Sequence, residues 1–246
     1  MINELLLQTP VSTAAILGFG FLIGLKHATE ADHLAAVSTM VSERRSLWSS
    51  AIVGGLWGLG HTISLFAAGI LVLVLDFQIS EQMERWLEFG VGVMLTLLGI
   101  NVIRKIITGG TVHLHTHEHG GHKHVHPHVH DHAEVEHPEI AHSKTQSPKA
   151  LLIGLVHGLA GSAGLMLVMI PTIPSKTVGL VYILVFGLGS IGGMMLMSLL
   201  VGLPFHFTAL RFGKLNNVLQ GIAGAVSVGL GLYIIWEKGF AGAAVA

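Results

Sequence analysis

The stretch GLKHATEADHLAAV, Gly24 to Val37, sets Lys26, His27, Glu30, Asp32 and His33 within eight residues. It lies inside residues 12–41, an apolar run otherwise long enough to cross about 30 Å of hydrocarbon. Ionisable side chains are costly in a bilayer. Where they occur they face protein or a watery cavity, and they mark paths for ions or protons. Either the run is a membrane span built around a polar site, or it is no span at all.

The rest of the chain decides for the span. Its 246 residues are 51% hydrophobic and 11% charged, whereas a soluble domain carries about 25% charged residues. Mean hydropathy is +0.69. These values describe an integral membrane protein. The formal net charge of −1 gives nucleic acid no basic surface to bind. The absence of cysteine excludes disulfides, thiol redox chemistry and thiolate metal sites. The opening MINELLLQTP has Glu4 and no Lys or Arg, so no cleaved secretory signal is expected. Thirty-two glycines and nine methionines suit closely packed membrane helices.

Six apolar runs are long enough to span: residues 12–41, 50–75, 85–107, 149–173, 177–203 and 216–237. None alternates like a strand, so the expected fold is all-α with six transmembrane helices. With six spans, the first, third and fifth loops share one side. They hold Arg44, Arg45, Arg104, Lys105, Lys123, Lys144, Lys149, Arg211 and Lys214; the other side holds Arg85, Lys176 and Lys238. Nine basic residues against three put those loops in the cytoplasm and both termini outside a cell (plasma or inner) membrane.

Residues 108–148 are different. Twelve of the seventeen histidines lie between His113 and His142. Such a low-complexity segment cannot build a core, so disorder is expected. Its His-x-His tracts suit borderline metals, and His113, His115, His117, His119, His122, His124, His126, His128, His130 and His132 are candidates for metal buffering. A solvated linker is the plain alternative.

The halves flanking this segment echo each other. LIGLKHA at Leu22–Ala28 recurs as LIGLVHG at Leu152–Gly158, 130 residues later, and GLGH at Gly58–His61 recurs as GLGS at Gly187–Ser190, 129 later. LLGI at Leu97–Ile100 is echoed by GLGL at Gly229–Leu232. Because a three-helix unit has odd parity, its second copy enters from the opposite side. The expected organisation is an inverted 3+3 repeat: residues 1–107, the His-rich cytoplasmic loop 108–148, and residues 149–246.

On a straight helix at about 100° per residue, Glu30 and His33 stay near the face of His27, and Asp32 points well away. His27, Asp32 and His33 therefore meet at one ion only if the helix breaks or other helices complete the site. Gly24 and the excess length favour a break. Imidazole and carboxylate without sulfur suit Ni, Co, Zn or Cu(II). His61 lies at similar depth in the second run and is the best fourth ligand. His157 takes the repeat place of His27, but Ser162 and Ala163 stand opposite Asp32 and His33. Glu30, His157, Ser162 and Ser190 are candidates for a secondary metal station or pathway lining. The plain alternative is an Asp32–Lys26 pair with histidines hydrogen-bonded in a bundle core. A metal store without translocation is another reading. An intramembrane protease is disfavoured, because HATEADH is not His-Glu-x-x-His.

HATEADH, His27–His33, has the form His-x4-Asp-His, and GLGHTISL, Gly58–Leu65, follows it in the second run. Together they resemble the two histidine motifs of the nickel/cobalt transporter superfamily (NiCoT and the wider NicO group). The resemblance implies a permease, not an enzyme, with His27, Asp32, His33 and His61 as metal-site residues and no catalytic ones. Ni²⁺ or Co²⁺ would be transported substrate rather than a prosthetic group. The chain lacks the helix that precedes this motif in eight-span importers and their downstream Gly-Phe-Asp-Thr-Ala-Thr-Glu; VHGLAGSAGL stands instead at Val156–Leu165. It is thus more similar to the short branch linked to urease. Uptake is the expected direction, with the bilayer, the ion and a cytoplasmic nickel chaperone as candidate partners. Efflux, with the His-rich loop as collector, is the alternative.

Overall fold

The computed structural model describes residues 13–44, 46–108, 112–119, 122–129, 147–169 and 175–241; for 112–119, 122–129, Ser147 and 161–169 it describes the backbone alone. In chain order these residues form α1 (Thr13–His27), α2 (Ala31–Val41), α3 (Leu47–Leu73), α4 (Glu81–Ile107), β1 (Val112–His119), β2 (His122–Val129), α5 (Ser147–Met169), α6 (Lys176–Arg211) and α7 (Gly213–Gly239). Among the described residues four helices, α3, α4, α6 and α7, are long and apolar enough to cross a membrane. Thr13–His27 and Pro148–Ala160 are apolar but shorter.

Residues 12–41 do not form the single helix that their hydropathy suggests. The chain leaves helix after His27 and re-enters it at Ala31. Thr29 turns both its amide (2.8 Å) and its hydroxyl (2.6 Å) onto the Lys26 carbonyl. Glu30 is extended, at φ −67° and ψ 152°, and its carbonyl takes the Leu34 amide at 2.9 Å to start α2. Gly24 is not the breaking point. It lies one turn upstream, buried in α1, where α6 crosses so closely that a Cβ would strike the Phe186 carbonyl.

Starts and stops elsewhere follow local chemistry. The Ser80 hydroxyl caps α4 by accepting the Met83 amide at 3.2 Å. Glu81 and Glu84 occupy the first turn of α4, and Arg104 and Lys105 the last, matching the helix dipole at both ends. Ser175 caps α6 by accepting from Val178 N at 3.3 Å.

The core runs along α3, which packs against α5 and α6; α1 lies on α6, and α4 on α7. Trp57, Leu65, Leu95 and Met194 are fully buried. Outward, Phe19, Leu97, Leu188 and Trp236 are about 60% exposed, an apolar girdle made for lipid. Lipid tails are as apolar as leucine, so the helices associate by close packing of small residues.

Those close contacts come in matched sets. A Cβ on Gly24 would meet the Phe186 carbonyl and Ser190 amide; one on Gly154 would meet the Trp57 carbonyl and His61 amide. Gly60 closes on Leu151 and Leu155, and Gly189 on Phe21 and Leu25. Gly92 closes on Gly231 and Ile235, and Gly224 on Gly99 and Ile103. Exchanging each residue for the one 129 to 132 positions away converts one contact of each set into the other.

Ion pairs identify the two ends of the bundle. At one end Lys105 Nζ bonds Glu43 at 2.8 Å, and Gln220 Nε2 donates to the Ser42 carbonyl at 3.1 Å. At the other, Lys176 bonds Asp76 at 2.8 Å and Lys238 bonds Glu88 at 2.7 Å.

Between α4 and α5 the described residues 112–119 and 122–129 are strands rather than helix. β1 and β2 pair antiparallel, from Val112 opposite Val129 to His119 opposite His122. The sequence reading expects no regular structure here. Alternation of histidine with Val, Leu and Thr is strand-like, and a strand needs only one partner to satisfy half its backbone groups. His130 and His132 lie outside the described residues.

Candidate metal centre

Breaking the first run at Ala28–Glu30 re-aims its ionisable groups. His27 ends α1; Asp32 and His33 open α2. Asp32 sits in the first turn, where helix amides are unpaired and the dipole favours an anion. Its Oδ1 accepts the His33 amide at 2.9 Å and His33 Nδ1 at 3.0 Å. Its Oδ2 accepts from His157 Nε2, on α5, at 2.9 Å. Glu30, in the break, accepts from His27 Nδ1 at 3.0 Å.

His61 comes in from α3. Its Nε2 stands 3.3 Å from His27 Nε2. The ring of His33 lies 4.3 Å from that of His27, 5.4 Å from His61 and 4.3 Å from His157. His33, His61 and His157 are at most 1% exposed, and His27 is 6% exposed. Trp57 walls one side, its ring 5.3 Å from His33 and 5.6 Å from His157. Phe186 lies 5.5 Å from His27. Asp32 and Glu30 are more open, with side chains 29% and 54% exposed, so the cluster communicates with the surface past two carboxylates.

Two groups have ligand atoms within 4.8 Å of one another: His27, His33 and His61, and Asp32, His33 and His157. Three buried ring nitrogens, His33 Nε2, His61 Nδ1 and His157 Nδ1, have no hydrogen-bond partner among the described residues. Unpartnered lone pairs in a dry site are costly unless something else takes them. Nitrogen donors with carboxylates behind them fit a borderline divalent cation better than Mg²⁺ or Ca²⁺.

His27, Asp32, His33 and His61 come together. The Asp32–Lys26 pairing does not form: Lys26 is exposed, and Asp32 is engaged by two histidines. Ser190, the repeat counterpart of His61, is fully buried and donates to the Gly24 carbonyl at 3.3 Å, which holds α1 on α6 rather than facing the cluster. The expectation for Ser162 falls outside the described side chains, as do those for the loop histidines. Sequence reasoning underrated His157. Its match to His27 in the repeat was the available signal, but the 125-residue reach to Asp32 leaves no trace in local spacing.

Known proteins bear on this cluster. The chain is 36% identical over 229 residues to the urease accessory protein UreH of Bacillus sp. (strain TB-90), covering 93% of this chain and 94% of that protein. It is 27% identical over 220 residues to the chloroplast protein FOR GROWTH AND FERTILITY 1 of Arabidopsis thaliana, covering 88% of the chain and 57% of that protein. Over 95 residues it is 32% identical to the high-affinity nickel transport protein of Cupriavidus necator, 37% of the chain and 26% of that protein. No protein-family model and no solved structure matches. With nine-tenths of both chains aligned to UreH, this multi-pass membrane protein belongs to the UreH family, a branch of the nickel/cobalt transporter superfamily.

Proposed function

We propose that the chain is a six-span permease that carries Ni²⁺, and also Co²⁺, across the plasma membrane through His27, Asp32, His33 and His61, in the direction of uptake. One observation carries the reading: histidines from four helices, drawn from both halves, meet in a buried cluster that a helix break assembles. The relatives add the metal, since one is named for high-affinity nickel transport and one as accessory to urease. Uptake is the direction that supplies an enzyme inside the cell, and a cytoplasmic nickel chaperone would receive the ion there.

In this reading α1 and α2 together make the first span and α5 the fourth. The reciprocal glycine contacts support an inverted 3+3 repeat, whose binding sites lie at midplane between the copies. The end bearing Glu43 and Lys105 is then cytoplasmic, by the excess of Lys and Arg, and both termini are outside. Efflux is the second reading. It is favoured by the histidine hairpin between α4 and α5, which would face the cytoplasm as a collector.

Flux of radioactive nickel into proteoliposomes tests the function. His27→Ala and His33→Ala are expected to lower the rate at least tenfold, with Mg²⁺ failing to compete and Co²⁺ competing. Unchanged flux in both variants would remove the cluster from the pathway. Deleting the gene reads the direction: less cell nickel means uptake, more means efflux.

A further inference from the structure

The carboxylates beside the cluster determine which imidazole nitrogens are free. A carboxylate only accepts hydrogen bonds. Glu30 at 3.0 Å from His27 Nδ1, and Asp32 at 3.0 Å from His33 Nδ1, therefore place the ring protons on Nδ1. Both Nε2 atoms are left as lone pairs. His27 Nε2 faces His61 Nε2 at 3.3 Å, and His33 Nε2 is buried without a partner among the described residues. Both oxygens of Asp32 are engaged. Oδ1 holds the amide and ring of His33, and Oδ2 holds His157 from the other half of the chain. Metal-bound histidines commonly give their other N–H to a carboxylate, which fixes tautomer and ring orientation.

We infer that the ion is ligated by the three imidazoles of His27, His33 and His61, and that Asp32 is a positioning residue, not a ligand, clamping His33 on one oxygen and His157 on the other. This rests on the reading that the cluster binds the transported ion, and it revises the ligand set that the family resemblance implies. The ligand class is a borderline divalent cation with affinity for neutral nitrogen. Its charge is balanced by Glu30 and Asp32 from behind the rings. His157 acts through Asp32, so the second half steadies the site without touching the ion.

The test uses Co²⁺ as a coloured probe on the purified full chain in detergent, with the twelve histidines from His113 to His142 replaced by asparagine so that only the membrane site binds. Visible d–d bands report the ligands, and titration reports affinity. His27→Ala, His33→Ala and His61→Ala are each expected to change the bands. Asp32→Asn should leave them in place while weakening Co²⁺ binding by about 10–100-fold, as loss of a supporting carboxylate does. His157→Gln should leave the bands unchanged, and the double variant Asp32→Asn/His157→Gln should bind no more weakly than Asp32→Asn alone. Bands shifted by Asp32→Asn as strongly as by His33→Ala would make Asp32 a ligand and overturn the inference, as would additive losses in the double variant. If Asp32→Asn does not elute as folded protein, His157→Gln decides: shifted bands make His157 a ligand and overturn the clamp. Bands indifferent to all three alanine variants would instead overturn the site itself.

Discussion

At the scale of single residues, the proposed metal site is a set of imidazoles whose orientation is imposed from behind. Glu30 and Asp32 each hold a ring by Nδ1, and Trp57 and Phe186 close the flanks. Beneath that lies a frame of residues too small to be noticed. Gly154 lets α5 come down onto the backbone at Trp57 and His61, and so fixes the distance from His157 to the cluster. Gly154→Ala puts a methyl into backbone that cannot yield, an overpacking expected to cost about 1–3 kcal/mol or more. Thermal unfolding in detergent should show a lower Tm. Gly229→Ala, where a Cβ would meet no atom of another described element within 4 Å, should leave it level or slightly raised, as alanine favours helix. An equal fall in both would mean that the close approach is not what glycine serves.

At the scale of elements, the sequence disclosed the conflict but not its resolution. Five ionisable groups in an apolar run, set against a 100° step, showed that a straight helix could not gather His27, Asp32 and His33. The break after His27 resolves that conflict, made by Thr29 and Glu30 rather than by Gly24. Hydropathy is blind to such a break, because it averages over the residues that make it. Three of the long spans, α3, α4 and α7, match their apolar runs closely, since nothing inside them competes with helix. The histidine segment went the other way: composition argued for no structure, while the alternation within it pairs as a hairpin. Its register sets His113 opposite His128, His115 opposite His126, His117 opposite His124 and His119 opposite His122. Residues opposed in a ladder share a face, so these eight positions fall on one side. Composition and register can be separated by experiment. Exchanging neighbours in β2 (H122K/K123H, H124V/V125H and H128V/V129H) keeps every histidine but moves three to the other face. Nickel titration of the full chain should then lose its tighter loop sites, by about tenfold or more in affinity if two imidazoles per ion become one. An unchanged isotherm would show that histidine number alone governs binding.

For the molecule as a whole, the two halves share a frame and divide the chemistry. Their glycine contacts exchange at a constant offset, yet Asp32 and His33 are matched by Ser162 and Ala163, and His61 by Ser190. The backbones differ at one place as well. Residues 28–30 leave helix, whereas their counterparts Gly158–Ala160 run on within α5. The chain thus displays the same stretch both wound and unwound. Were residues 28–30 to wind as their counterparts do, Asp32 would swing about 140° around the axis from His27, since five helical steps overshoot one turn by that much. The cradle would come apart without any ligand being replaced. If the cluster binds the transported ion as proposed, grip on the ion and continuity of the helix through residues 28–30 are a single variable, and loading should be legible in the main chain. Saturating Ni²⁺ is expected to slow hydrogen exchange at the amides of residues 28–33 and to leave those of 158–163 unchanged, with the effect gone in His27→Ala. Equal slowing at both stretches would mean that the ion tightens the bundle at large, and that the gap in the first span is only where the helix happens to end.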